Sequence, residues 1–233
     1  MPRRTRPAET TRSEHWMRVA ANEKRRLLDA SVVSTFRWNE SEAIQWLSPI
    51  KEDGFAEYFD SAFLKRLDLP DLRVPLSRFW PARGPRWDGL AKTQSGKVLL
   101  VEAKAHIEEA VDYRSKAKGK ALKKIRNSLS EAKAAYKAVK DAPWEEPFYQ
   151  YANRLAHLYF LHKVNGLDAY LLFLYFADAP DVPFPASVSE WKGAIRTTEK
   201  CLGLGKHPFR DRVGAVILSV PEMLSNKPLE RKR

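Results

Sequence analysis

The apolar positions of this chain change period several times, and each change predicts an element. Trp16, Val19 and Leu27 recur at helical spacing over 14–30, after an Arg/Pro/Thr-rich opening (1–12) that reads as a flexible basic arm. Asn39 with Glu42 three residues on reads as a capping box. It predicts a short helix carrying Ile44 and Leu47 that stops before Pro49. Phe55, Phe59, Ala62 and Phe63 predict another helix over 52–67, with Pro70 and Pro75 bounding a linker. Strands are then expected at 78–80 and 87–93, and a stronger one at 97–105 around Val98-Leu99-Leu100-Val101. Between the last two, Gln94-Ser95-Gly96 suits a three-residue hairpin loop, whose last position favours glycine because the backbone turns left-handed there. Leu122, Ile125, Leu129, Ala132, Tyr136 and Val139 predict a long helix. Another is expected over 147–164, with Gly166 placed to end it. The nearly continuous apolar run at 168–177 predicts a strand buried on both faces. Ser187 and Glu190 make a second capping box, for a helix with Trp191, Ile195 and Leu202 on one side, and 213–220 predicts a last buried strand. This pattern predicts an α/β domain over 39–222, preceded by a basic arm and helix (1–38) and followed by a basic tail (223–233).

Charge sharpens the picture. Among 233 residues, 41 Lys and Arg oppose 29 Asp and Glu, a formal net charge of +12. A surplus of that size makes a polyanion the default partner. Ten Lys and Arg between Arg114 and Lys140 face Glu131 alone, so nine of the twelve surplus charges lie on one segment. Lys120, Lys123, Lys124 and Arg126 in it are the candidate nucleic-acid contacts, following phosphates without reading bases. The competing use is a solvated helix face. The single cysteine, Cys201, excludes an internal disulfide framework and a Cys-rich zinc site. The apolar run at 169–177 is too short to cross a bilayer. No apolar stretch follows the basic opening, as a signal peptide would require. The expectation is a cytoplasmic protein without membrane association, its oligomeric state left open.

The hairpin carries the chemistry. With a three-residue loop, Thr93 pairs with Lys97, so Asp88 lies opposite Glu102 and Arg86 opposite Lys104. Side chains alternate along a strand, which puts Glu102 and Lys104 on one face with Asp88 across from them. Two opposed carboxylates repel unless a cation lies between them. A hard divalent ion with oxygen ligands is the natural remedy. A two-residue loop would shift the register and separate the acids.

The run Asp88, thirteen residues, then Glu102-Ala103-Lys104 resembles the PD-(D/E)XK nuclease superfamily. The resemblance implies a restriction-endonuclease-like αβββαβ core, a mixed sheet flanked by helices, here with extra N-terminal helices. It implies that Asp88, Glu102 and the backbone carbonyl of Ala103 hold Mg²⁺, with Mn²⁺ able to substitute, and that Lys104 helps activate the attacking water. It also implies a further carboxylate from the first core helix, for which Glu57 is chosen over Asp53 and Asp60. Trp87 stands where the family's usual proline precedes the first acid. The implied activity is metal-dependent hydrolysis of phosphodiester bonds, in DNA ahead of RNA, leaving a 5′-phosphate and a 3′-hydroxyl. The alternative is a nucleic-acid-binding protein that keeps the fold without cleavage.

Gln150, Asn153, Arg154 and His157 form a polar stripe on an otherwise apolar helix. Buried polar groups need partners. Those partners are the active site, a phosphate or a structural network, with Gln150 and Arg154 as second-rank candidates. His157 and His162, five apart, cannot grip one metal from one helix. Phe79, Trp80 and Trp87 serve either as base-stacking rings or as core.

Overall fold

The computed structural model describes residues 3–4, 10–69, 71–111 and 115–225. Every position of β6 (Ala169–Ala177) is buried, and the main five-stranded sheet is built around this strand. β2 (Ile44–Ser48), β4 (Gly89–Thr93) and β5 (Val98–Lys104) form an antiparallel meander; β5, β6 and β7 (Val213–Ser219) run parallel. The chain is therefore α/β with a mixed five-stranded sheet. A small second sheet pairs β1 (Arg3–Arg4) with β3 (Glu57–Tyr58), so that part of the opening segment is docked; the rest of the predicted arm up to residue 9 lies outside the described residues, as does the basic tail from residue 226.

Alternation assigns each sheet face its own core. Leu99 and Val101 of β5, with Leu172 and Leu174 of β6, pack against Trp16, Met17, Leu28 and Val32. These come from α1 (Arg12–Asn22) and α2 (Arg25–Phe36), with α8 (Val220–Leu224) on the same side. Leu90, Leu100, Leu171 and Phe173 face the other way. They meet Ile125, Leu129, Leu155 and Trp191 from α5 (Gly119–Ala135), α6 (Tyr149–Tyr159) and α7 (Val188–Cys201). A π-helical turn (Phe160–Val164) extends α6, and Gly166 at φ 74° ends it. Among the described residues no helix is long and apolar enough to cross a membrane.

Several expectations are corrected. Residues 14–30 form parts of two helices, broken between Asn22 and Arg25. The segment at 44–48 is an edge strand, not a helix. Ile44, Trp46 and Ser48 alternate inward against β4, and Glu42 holds the Ser95 amide and Lys97 of the hairpin instead of capping a helix. The predicted helix over 52–67 is interrupted because Phe55 and Asp60 adopt left-handed backbone at φ 54° and 49°, which a right-handed helix cannot accommodate. What forms there is a 3₁₀ turn (Lys51–Asp53), β3 and the short α3 (Ser61–Arg66). Residues 78–80 are not a strand, since α4 (Leu76–Phe79) occupies that stretch, and a second 3₁₀ turn (Ile107–Ala110) follows β5. β7 is an alternating, half-buried edge strand. The Ser187–Glu190 capping box is present as predicted.

Candidate active site

The hairpin closes as its loop chemistry requires. Gly96 takes φ 88°, the Gly96 amide donates to the Thr93 carbonyl at 3.0 Å, and Gly89 pairs with Val101 and Leu90 with Leu100. That register sets Asp88, one residue beyond the ladder, across from Glu102. Because Leu90 and Leu100 face the α5–α7 side, Asp88 and Glu102 follow them on it. The apolar run of β5 ends there in Glu102, Ala103 and Lys104, at the carboxyl end of the parallel strands, where open α/β sheets bind ligands.

A cavity of about 610 Å³ opens at this end, lined by Asp88, Glu102, Ala103, Lys104, Glu57, Gln150 and Arg154 among others. Glu102 is 3% exposed and held from two sides: Arg154 donates from Nε at 2.6 Å and Lys104 from Nζ at 2.5 Å. Burial opposes its charge, but Arg154 and Lys104 outweigh burial and keep its carboxyl below the usual range. Lys104 also donates to Gln150 Oε1 at 2.8 Å. Burial works against the ammonium too, yet the charges of Glu102 and Asp88 raise its pKa, so it remains protonated. Asp88 accepts the Ala103 amide at 2.8 Å. Removal from solvent first, and then the nearby charge of Glu102, push its carboxyl up to about 6.

The second-rank pair from α6 is therefore in the site. The Arg154 guanidinium is fixed on every side, by Glu102, by Asn153 Oδ1 at 2.8 Å, by the Arg86 carbonyl at 2.9 Å and by the Trp87 ring, 4.9 Å from its centroid. His157 is buried with Nδ1 donating to the Asn153 carbonyl, and burial lowers its pKa to about 3, so it is neutral. His106 caps the turn after β5, its Nε2 donating to the Pro183 carbonyl. Phe79, Trp80 and Trp87 are buried, Trp87 wholly, which makes them core, with Trp80 also lining the cavity.

Glu57 lines the cavity and is 2% exposed, but it comes from β3, not from a helix. Its competitors are occupied elsewhere: Asp53 with the Tyr58 hydroxyl and Arg66, Asp60 with the amides of Arg83 and Gly84. The first helix supplies a carboxylate that sequence reasoning missed. Glu14 of α1 lines the cavity, and a small adjoining space brings it together with Glu57 and Asp88. Its signal was its place three residues before Met17 and seven before Ala21, both buried, on the inward face of α1. Among the described residues no group of three or more His, Cys, Asp or Glu side chains is arranged as a metal cage.

The basic segment divides. Lys120, Lys123 and Lys124 line a second groove together with Arg78. Arg126 points elsewhere and pairs with Glu145 at 2.9 Å, and Arg114 lies outside the described residues. The chain matches no protein-family model, no curated protein and no solved structure, which leaves the cavity's own chemistry as the ground for a functional reading.

Proposed function

We propose that this protein is a Mg²⁺-dependent nuclease with a restriction-endonuclease-like core, hydrolysing phosphodiester bonds of nucleic acid, with DNA the first substrate to test. The observation that carries this reading is the convergence of Asp88, Glu102 and Lys104 on one cavity at the carboxyl end of β5. The succession of helix, antiparallel meander, helices and then a strand parallel to β5 supports the core assignment.

The donor set suits a hard cation. Asp88, Glu102 and the Ala103 carbonyl would hold it, with Glu57 and Glu14 adding negative charge at the same cavity. Mg²⁺ is usually held by one or two carboxylates, with waters and substrate phosphates completing its shell, so a site without a three-acid cage still fits. When bound, the ion supplies Lewis-acid stabilisation of the charge that develops on phosphoryl oxygen.

The chain's own groups do the rest. Lys104 has three N–H donors. Two are given to Glu102 and Gln150, which leaves one for the attacking water or a phosphate oxygen. As a protonated ammonium it orients and offsets charge. Arg154 and Gln150 are positioning residues, locking Glu102 and Lys104 before substrate arrives.

The test is cleavage of plasmid and oligonucleotide substrates with Mg²⁺ or Mn²⁺ against EDTA, using wild type and Glu102→Gln. Metal-dependent cutting that the variant loses by about 10²-fold or more supports the enzyme. Wild type that binds DNA and never cuts it supports the second reading, a binding protein that keeps the fold. One observation favours that alternative: Lys104 and Arg154 already engage both oxygens of Glu102.

A further inference from the structure

The groove between α4 and α5 holds about 370 Å³ and is bordered by Arg78, Lys120, Lys123, Lys124 and Asn127. The four α5 residues stand at i, i+3, i+4 and i+7, one stripe of the helix. Beside it runs the buried stripe of Ile125, Ser128, Leu129 and Ala132 that fixes α5 to the core. Arg78 faces them from α4, which α5 tethers twice: Lys124 donates to the Ser77 carbonyl at 2.7 Å, and the Ser128 hydroxyl donates to the Phe79 carbonyl. Four cations are thereby held around one depression, where like charges repel unless an anion lies among them. Glu131 is the acid at its border. The groove also has a link to the catalytic cavity. Lys116 lines that cavity, and the segment 115–118 leads from it into α5, with Lys116, Lys118 and Lys120 all exposed.

We infer that one strand of a polynucleotide leaves the catalytic cavity past Lys116 and lays its phosphates in the α4–α5 groove, against Arg78, Lys120, Lys123 and Lys124. This rests on the nucleic-acid reading of the cavity and adds a direction and an extent. The four residues from Lys116 to Lys120 span at most about 14 Å, and Lys120 to Lys124 adds about 6 Å along the helix. At about 3.4 Å per nucleotide, the track accounts for at most about six nucleotides on one side of the scissile phosphate. Phe79, the aromatic ring at the groove, is buried, so the contacts are to the backbone and independent of sequence.

The test is binding of labelled oligonucleotides of graded length, in EDTA so that no cutting intervenes. Wild type is compared with Arg78→Glu/Lys120→Glu, with the milder Arg78→Gln/Lys120→Gln, and with Lys140→Glu/Lys192→Glu as a charge-matched control; circular dichroism checks that each is folded. For wild type, affinity should climb with length and level off by the point where about six nucleotides extend past the cavity. The groove variants should lose about tenfold or more in affinity, their salt slope falling by about two for the pair, and their length dependence should flatten. The control should keep both. Groove variants that behave like the control overturn the track, as does wild-type binding without length dependence, or binding to anionic vesicles but not to nucleic acid. The two readings fail separately. Protein that binds by this track yet never cuts with Mg²⁺ refutes the nuclease alone. Protein that cuts while its groove variants bind like the control refutes the track alone.

Discussion

Arg154 donates from Nε to Glu102 Oε2 at 2.6 Å, with the two side chains only 6% and 3% exposed. A buried ion pair is tolerable when every member is satisfied, and here Lys104, Asn153 and the Arg86 carbonyl complete it. Removing one member strands the charge of another. Arg154→Met should therefore destabilise the fold by about 3–5 kcal/mol, and Arg154→Lys by less. Urea unfolding at neutral pH measures both, and a loss under about 1 kcal/mol for the Met variant would show that the network does not depend on Arg154.

Lys104→Met keeps the length of the buried stem and deletes the ammonium. On the proposed nuclease reading, nucleic-acid binding should survive, since phosphate contacts elsewhere would supply most of the affinity. Single-turnover cleavage with Mg²⁺ should fall by about 10²–10³-fold. Arg in its place should not restore the rate, because a planar fork presents its donors differently from a point charge. Equal rates for wild type and Met would remove Lys104 from the reaction.

Asp88 makes stability depend on pH in a definite direction. Burial, with Glu102 beside it, raises its carboxyl to about 6 from the ordinary 3.8. A raised carboxyl contributes stability in full below its unfolded value and loses it as pH rises through the folded one. Metal-free Asp88→Asn should thus be more stable than wild type at neutral pH, by about 1–3 kcal/mol. The gap should close near pH ~4. Chemical denaturation across that range reads it directly; a variant less stable at neutral pH contradicts the sign.

His157 acts in the opposite sense. Burial, against the pull of its bond to the Asn153 carbonyl, lowers its pKa to about 3 from the ordinary 6.5. Its contribution is present above the unfolded value and drains as pH falls toward the folded one, at up to about 1.4 kcal/mol per unit. The imidazole stands among Phe63, Phe79, Trp80 and Trp87, so His157→Phe fits the ring cage and should flatten this acid limb. The comparison is cleanest on an Asp88→Asn background, where the opposing titration is absent. An unchanged acid limb would exclude His157 as its source.

Gly89 lets α1 approach the hairpin next to Asp88. A Cβ there would lie 2.6 Å from Met17 Cε and 3.1 Å from Val101 Cβ. Gly89→Ala should cost about 1–3 kcal/mol through overpacking. Adding Met17→Ala should recover part of that loss, because the clash is with a flexible side-chain end. Additive losses in a double-mutant cycle would show that the two residues do not compete for the same space.

Short-range order was legible in the chain itself. The hairpin register follows from period-two alternation on either side of a loop ending in Gly96, and that register places Asp88 opposite Glu102 without any knowledge of the rest of the protein. The buried β6 and the Ser187–Glu190 cap are likewise written in a few neighbouring residues. Tertiary contacts decided the remainder. Ile44 to Ser48 becomes a strand because β4, far along the chain, offers it a ladder, and that outweighs a local capping signal. Glu14 enters the site because α1 packs beside the hairpin, and Arg78 joins the basic groove because α5 tethers α4. Arg126, two positions from Lys124, is turned to the other side of α5 and spends its charge on Glu145. Spacing along a chain settles which residues share a strand or helix face; which separate faces meet depends on how their apolar sides are buried together, and only the folded packing of both sheet faces decides that.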